Sequence, residues 1–556
     1  MYKEAKTFKG FEAWYNQLQM SLKMYVYTFL IVLIIHTIIP PLYLILFRPE
    51  LLKAVSKVVL GLHFPLWSRA FTLLFREGFT IFIFATPVWL LYPALLARFK
   101  TKSQEIMTDQ YLRGSKCVSD DELRKIVLNH IKQEKKRLPV PENLIHIGKI
   151  PVPPWAETRH FLVVGRPGTG KTTLLNQVLE VLRKRKSKVI IHDFKGDYLS
   201  TFYDPNTDII FNPIDTRTIN WCLFSEVEMQ PDIDSIAASM IPESFREDRF
   251  WIDAARDVFA SILYYLKTTK QESNRDIWKH VTLTEQEMIE LMRAAVDQGV
   301  EYAKKAQGYL QGYEKGSKVA SDVLSTMRQY TNCFQYMTHL ESAFSIKKWL
   351  ENDKASFVFI TNYANVRDTL KPALSLFVDL TLKHLLSLPE SHDRRVFFIL
   401  DEFASLQRLS SVVRALEQGR SKGASVWIAT QDIGQLQKLY GHETASTITN
   451  TCNTIVSFAL NDPNSCEFMS RVFGETEILE TDETFSMGPK NYRDGLNITR
   501  RRKIERVVLP SQFTILRDLE CYLKLVSYDI TKTRIQLKKL PRTTQELVLN
   551  ERFRFS

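Results

Sequence analysis

The chain has 556 residues, of which 45% are hydrophobic, and its formal net charge is +12. This length indicates more than one domain, and the large apolar share excludes a wholly disordered chain. The positive charge allows a nucleic-acid or anionic-membrane partner without requiring one. Six cysteines are scattered without C-x-x-C spacing, so neither a zinc site nor a disulfide framework is indicated, and reduced thiols are expected.

Two apolar segments near the N-terminus predict transmembrane helices. Residues 24–47 and 78–97 contain no Lys, Arg, Asp or Glu, and a bilayer-spanning helix needs about 20 residues. The alternatives are two buried core helices or, for the first segment, a signal peptide. We therefore expect residues 1–100 to form a membrane anchor with a short loop between its two spans.

Beyond residue 160, short apolar runs alternate with helical patterns, which predicts an α/β domain with a mainly parallel sheet. We assign residues 101–266 and 341–556 to this domain, with closing strands at Cys521–Val526 and Arg534–Leu537. The main predicted strands are Phe161–Val164, Val189–Ile191, Phe357–Ile360, Val396–Leu400 and Ser425–Ala429.

The segment 267–340 lacks the strand pattern and has helical spacing instead. Its predicted helices are Glu285–Gln298, Val300–Gly312 and Lys318–Tyr330. We therefore expect an all-α insertion within the α/β domain.

A phosphate-binding loop follows the first predicted strand. Its sequence GRPGTGKT fits the pattern G-x-x-x-x-G-K-[ST] in full. Backbone N–H groups of such a loop and the following helix N-terminus bind phosphate, Lys171 reaches the terminal phosphates, and the Thr172 hydroxyl binds Mg²⁺. A chance match in a glycine-containing turn is the alternative. The expected nucleotide contacts are Gly165, Arg166, Pro167, Gly168, Thr169, Gly170, Lys171, Thr172 and Thr173.

Two adjacent carboxylates follow the predicted strand Val396–Leu400. Together with the phosphate-binding loop, this arrangement is typical of a Walker B motif. Asp401 is expected to hold Mg²⁺ directly or through water, and Glu402 to polarise the attacking water. The alternative is an acidic strand terminus without a catalytic role.

Three further features near strand ends are candidates for the same site. Gln431 follows the predicted strand Ser425–Ala429, where it could orient the attacking water or sense the γ-phosphate, or simply be a polar strand terminus. Arg420 lies in a glycine-flanked loop, where it could be a finger inserted into a neighbour's site or a solvated arginine. The carboxylates and lysine of Asp193–Asp197 are expected near the phosphates, although a strand-to-helix turn explains them almost as well.

The order of these features along the chain resembles that of the coupling proteins of type IV secretion systems of the TraD/TrwB kind. The features are, in order, the spans, the phosphate-binding loop, Asp193–Asp197, the helical insertion, the acidic pair, Arg420 and Gln431. Three stretches resemble the TraD type more narrowly: Phe250–Arg256, Gln435–Gly441, and Leu509–Gln512 with Asp518–Tyr522. The resemblance covers nearly the whole chain.

The resemblance implies a RecA-like P-loop NTPase domain that assembles as a homo-hexamer at the bacterial inner membrane. It implies Mg²⁺-dependent ATP hydrolysis that drives DNA, with its attached relaxase, to the proteins of the secretion channel. It also implies that Arg420 acts across subunits and that Gln431 senses the nucleotide. Because ATP is cytoplasmic, the C-terminal body of this multi-pass protein is expected in the cytoplasm, with the N-terminus on the same side.

The sequence departs from the family pattern at two places. The lysine that TrwB-type proteins carry after their Tyr-Gly is replaced near Glu443, which places one phosphate contact in doubt. The sequence ends at Ser556 without a long acidic tail, so the TraD-type extension that docks relaxosome proteins is expected to be absent.

Two basic clusters could face DNA: Arg183–Lys188, dense in Lys and Arg, and Arg500–Lys503. For the first cluster, a solvated helix end is an equal alternative. No base-reading motif is visible, and a translocase that follows the backbone needs none. The alternative functions are an ATP-dependent motor that delivers protein effectors without DNA and a membrane receptor that does not hydrolyse nucleotide. An ABC transporter is disfavoured because no LSGGQ-like segment lies between the Walker motifs.

Overall fold

The computed structural model describes residues 11–47, 49–50, 53, 56, 72, 75–76, 79, 83, 86–98, 110–135, 140–243, 249–310, 318–486 and 495–554. Contacts divide the chain into two compact units. The first combines Met1–Arg113 with Thr476–Glu505, and the second combines Gly114–Glu475 with Arg506–Ser556.

The strands are β1 Gln110–Gly114, β2 Cys117–Val118, β3 His146–Ile147, β4 Ile150–Pro151, β5 Phe161–Val164, β6 Lys188–Asp193, β7 Ile209–Phe211, β8 Phe357–Thr361, β9 Val396–Leu400, β10 Ala424–Thr430, β11 Thr454–Ser457, β12 Glu475–Ser486, β13 Gly495–Arg506, β14 Glu520–Lys524 and β15 Ile530–Arg534. The α-helices are α1 Phe11–Phe47, α2 Asp120–Glu134, α3 Lys171–Lys184, α4 Asp197–Phe202, α5 Gln230–Met240, α6 Arg249–Thr268, α7 Asn274–Val281, α8 Glu285–Asp297, α9 Tyr302–Leu310, α10 Val319–Thr331, α11 Ile346–Glu351, α12 Arg367–Ser387, α13 Val412–Gln418, α14 Ile433–Tyr440, α15 His442–Thr451, α16 Pro463–Phe473 and α17 Pro510–Thr514.

The first unit contains the membrane candidate. Within α1, the segment Ser21–Ile39 has a mean hydropathy of 2.0 and is long enough to cross a bilayer, and it is the one such segment among the described residues. The predicted first span falls on this helix. Of the predicted second span at 78–97, most of the N-terminal half lies outside the described residues, and its end is helical from 86 to 98. The same unit contains a three-stranded sheet in the order β1-β12-β13.

The second unit is built on a ten-stranded sheet in the order β2-β15-β14-β11-β5-β10-β9-β6-β8-β7. The seven strands from β11 to β7 are parallel to one another. Strands β5, β8, β9, β10 and β11 are buried along their whole length, which explains why their sequences are short runs of mainly apolar residues. The predicted α/β class and the five main predicted strands are confirmed.

The predicted strand Arg534–Leu537 is wrong, because the strand is β15 and ends at Arg534. Its inward residues include Thr531 and Thr533, whose hydroxyls donate to the two carboxylate oxygens of Asp120 at 3.1 and 3.2 Å. Because the buried face of β15 is partly polar, its sequence lacks the apolar alternation that predicts a strand. The prediction therefore followed the apolar residues further along the chain, up to Leu537.

Helices α5 to α11 fill the segment between β7 and β8, and all three predicted helices occur there as α8, α9 and α10. The helical segment extends beyond the predicted bounds 267–340. Helix α6, which lies almost wholly before residue 267, packs against α9 and α10 and shares their core. Residues 311–312, the end of the second predicted helix, lie outside the described residues.

Candidate active site

The loop between β5 and α3 requires its glycines for local reasons. A Cβ on Gly165 would lie 2.6 Å from the Cβ of Phe458. Gly168 and Gly170 have φ angles of 80° and 121°, which side chains rarely adopt. Gly170 is the N-cap of α3 and offers no side chain to it. Since the first N–H groups of a helix have no acceptor within the helix, those at the start of α3 are available to a phosphate.

The other side chains of the loop either form hydrogen bonds that stabilise it or are accessible to solvent. The Thr169 hydroxyl donates to the carbonyl of Arg166 at 2.7 Å, and the Arg166 guanidinium donates to Asn461 at 3.0 Å. Pro167 and Thr172 are exposed, whereas Thr173 is half-buried. Residue 172 is therefore accessible to a ligand.

Lys171 lies at the start of α3 with its side chain buried. Its ammonium group donates to the carbonyls of Gly165 and Arg166, the second at 3.3 Å. Burial lowers the pKa of Lys171, while the charges of Glu402 and Asp401 raise it. The two carboxylates therefore favour the charged ammonium that phosphate binding needs.

The acidic pair follows β9, the second strand from β5 in the sheet. Glu402 has φ 46° and ψ 53°, a left-handed conformation that costs a residue with a side chain about 1–3 kcal/mol. Its N–H donates to the Asp401 carboxylate at 3.1 Å. Burial raises the pKa of both carboxyls, and Lys171 lowers both. Strain and burial of this kind are typical of a functional site.

Gln431 directly follows β10, the strand between β5 and β9. Its amide nitrogen donates to the Glu402 carboxylate at 3.1 Å and thereby lowers the pKa of that carboxyl. Thr430 pairs with Val164, and Ile428 with Leu400, so the carboxyl ends of the three strands align. The structure therefore brings the phosphate-binding loop, the acidic pair and Gln431 to one edge of the sheet.

Arg420 lies elsewhere. It is exposed in the 3-10 turn Gly419–Lys422 before β10. Since β10 has seven residues, its two ends lie about 20 Å apart. Arg420 is thus at the amino edge of the sheet, and Gln431 is at the carboxyl edge. Arg420 also lines a cleft of about 1420 Å³, together with Trp155 and Arg395.

Tyr198 and His192 belong to the same site although their sequence pattern did not indicate it. The Tyr198 hydroxyl donates to the Asp401 carboxylate at 3.1 Å. The His192 ring contacts the Asp401 carbonyl at 2.6 Å, and burial lowers the pKa of His192 to about 4, so its neutral ring donates through Nδ1. Asp193 is fully buried and accepts two N–H groups of the turn that follows β6. The strand-to-helix turn that was the alternative interpretation of this segment therefore explains Asp193. Lys195, in contrast to the buried Asp193, is exposed.

Several basic residues of the cluster Arg183–Lys188 form ion pairs and hydrogen bonds within the protein. Arg183 forms a bidentate ion pair with Asp208, and Arg185 pairs with the buried Glu157 at 2.8 Å. Lys188 donates to the carbonyls of residues 349, 350 and 352. In contrast, Arg500, Arg501 and Arg502 are exposed on β13 in the first unit.

The parallel sheet, the glycine loop and the acidic pair together define a P-loop NTPase of the RecA-like class with a helical domain. The family described as the type IV secretion-system coupling protein DNA-binding domain matches residues 144–538, and the chain belongs to this family.

Similar proteins agree with this membership. The coupling protein TraD of Escherichia coli K12 is 29% identical over 412 residues, which cover 73% of this chain and 56% of TraD. The plasmid coupling protein TrwB, solved in complex with ADP and Mg²⁺, matches with a TM-score of 0.67 at 27% identity, over 79% of this chain and 98% of that structure. TrwB in complex with the ATP analogue ADPNP matches with a TM-score of 0.66. The chain thus spans little more than half the length of TraD.

Proposed function

We propose that the protein is a membrane-anchored coupling ATPase that hydrolyses ATP to drive DNA, with its attached relaxase, toward a type IV secretion channel. The observation that carries the ATPase part is the meeting of Lys171, the acidic pair and Gln431 at one edge of the sheet. The solved complexes of TrwB with ADP, Mg²⁺ and ADPNP support nucleotide as the ligand.

Each site residue has a proposed role that its position supports. The loop residues 165–173 hold the phosphates, with Lys171 at the terminal ones, and Thr172 with Asp401 supplies the hard oxygen atoms that Mg²⁺ prefers. When bound, Mg²⁺ neutralises charge on the transferred phosphoryl group. Glu402, oriented by Gln431, accepts a proton from the attacking water.

The placement of Arg420 at the opposite edge of the sheet supports a role in a neighbouring subunit. The assembly that we propose, following the family resemblance, is a homo-hexamer in which each site is shared. Residues 1–100, which include α1 with its apolar segment Ser21–Ile39, form the proposed anchor at the inner membrane, with the body in the cytoplasm. Residues 267–340, which lie among the helices between β7 and β8, form the proposed insertion domain.

The test is ATP hydrolysis by the detergent-purified full chain, with and without single-stranded DNA at low salt. We expect DNA to stimulate hydrolysis in the wild type, and Lys171→Ala to abolish it. Lys184→Ala is the matched control, because this exposed lysine of the same helix forms a surface ion pair with Glu180 at 2.9 Å, worth at most about 1 kcal/mol. Hydrolysis without any DNA binding or stimulation would instead favour a motor for protein effectors.

A further inference from the structure

Tyr198 connects two residues that the proposed magnesium site requires. The side chain is fully buried on α4, outside both Walker motifs. Its hydroxyl donates to the Asp401 carboxylate at 3.1 Å, and the Thr172 side chain lies beside the same hydroxyl. A single phenol group thus lies between the hydroxyl at the start of α3 and the carboxylate at the end of β9.

The backbone holds this tyrosine from two sides. The Asp193 carboxylate accepts the N–H groups of Gly196 at 2.9 Å and Leu199 at 2.8 Å, one on each side of Tyr198, which orients the turn into α4. Downstream, the N–H of Thr543 donates to the carbonyl of Ser200 at 2.7 Å. Because the residues on both sides of Tyr198 are fixed, its hydroxyl has little freedom to leave Asp401.

We propose that Tyr198 is a positioning residue for the magnesium site: its hydroxyl holds the Asp401 carboxylate beside Thr172, where these two side chains would supply oxygen ligands to Mg²⁺. This inference rests on the proposed nucleotide function and deepens it. Partners of this kind, one step behind the metal ligands, typically contribute 10–100-fold to metal affinity. Tyr198 itself touches neither the nucleotide nor the reacting water in this scheme.

The test is Tyr198→Phe in the full chain, because phenylalanine keeps the buried ring and removes only the hydroxyl. The readout is binding of a fluorescent ADP analogue during a Mg²⁺ titration and, separately, in EDTA. We expect the Mg²⁺ concentration for half-maximal enhancement of binding to rise about tenfold, with binding in EDTA unchanged. Tyr203→Phe is the matched control, because Tyr203 ends the same helix and packs against Phe359.

Three outcomes would overturn the inference in distinguishable ways. Wild-type Mg²⁺ dependence in Tyr198→Phe would show that the hydroxyl does not position the site. An equal loss of binding in EDTA would show that the hydroxyl serves only the fold of the phosphate-binding loop. If the wild-type chain itself bound the ADP analogue without any Mg²⁺ dependence, the proposed function would fail together with the role of Tyr198.

Discussion

The Gln431 amide nitrogen donates to the Glu402 carboxylate at 3.1 Å, between residues that follow adjacent strands. Glu402 sits in a left-handed backbone conformation that residues with a side chain rarely adopt. Burial raises the pKa of Glu402, and the hydrogen bond from Gln431 lowers it. Gln431 therefore both directs the carboxylate and favours the ionised form that a general base needs.

Gln431→Ala tests this relationship. We expect hydrolysis to fall about 100-fold while nucleotide binding is retained. The acid limb of the pH–rate profile should move to higher pH, because loss of the donor raises the pKa of Glu402. The measurement is the pH dependence of kcat beside Gln437→Ala, a half-buried glutamine on α14, as control. An unshifted acid limb would contradict the role of Gln431 in the ionisation of Glu402.

Arg420→Ala tests the shared site. Because Arg420 lies at the amino edge of the sheet, its loss should leave nucleotide binding intact and reduce turnover about 1000-fold. Arg414→Ala, which changes an exposed arginine on the neighbouring α13, should have little effect.

Mixing experiments sharpen this prediction. Arg420→Ala subunits have an intact phosphate-binding loop, and Lys171→Ala subunits have an intact Arg420, so mixed assemblies should regain part of the activity that both lack alone. If Arg420 acted within its own subunit, no mixture would contain a complete site. Activity that stays at background across all mixing ratios would therefore exclude the role across subunits.

The site was predictable where each element carries its own signal. The glycine loop, the strand before Asp401 and the strand before Gln431 are local patterns, and the parallel sheet aligns their carboxyl ends. Tyr198 was not predictable, because its contact with Asp401 joins residues from two separate strand–helix connections. Strands β12 and β13 also escaped prediction, since their sequences are rich in charged residues and lack an apolar alternation.

The two basic clusters differ in their expected contribution to DNA binding. Lys184 and Lys186 are exposed at the end of α3, next to arginines that already pair with Asp208 and Glu157. Replacing both lysines with Gln should leave single-stranded DNA affinity nearly unchanged. Replacing Arg500, Arg501 and Arg502 with Gln should weaken binding, and the slope of log K against log salt should fall by about 2 if all three contact phosphates. Equal salt slopes in the two variants would contradict this assignment.

His160 gives the nucleotide-binding body a defined acid sensitivity. It is buried next to β5, and its Nδ1 accepts the N–H of Val426 at 3.2 Å, which requires a neutral ring. Burial lowers the pKa of His160 to about 4. An unfolded chain binds this proton near pH 6.5, so it takes up more protons than the folded chain between pH 6.5 and 4.

Stability should therefore be full above pH 6.5 and fall as the pH decreases toward 4, with His160 contributing at most about 3 kcal/mol of the loss. His160→Asn keeps an acceptor for Val426 and tolerates the positive φ of 54° at this position. We expect this variant to lose a few degrees less in thermal midpoint between pH 7.5 and 5 than the wild type does. His146→Asn, at an exposed histidine, should behave like the wild type. Parallel losses in all three proteins would show that the buried imidazole of His160 does not set the acid sensitivity.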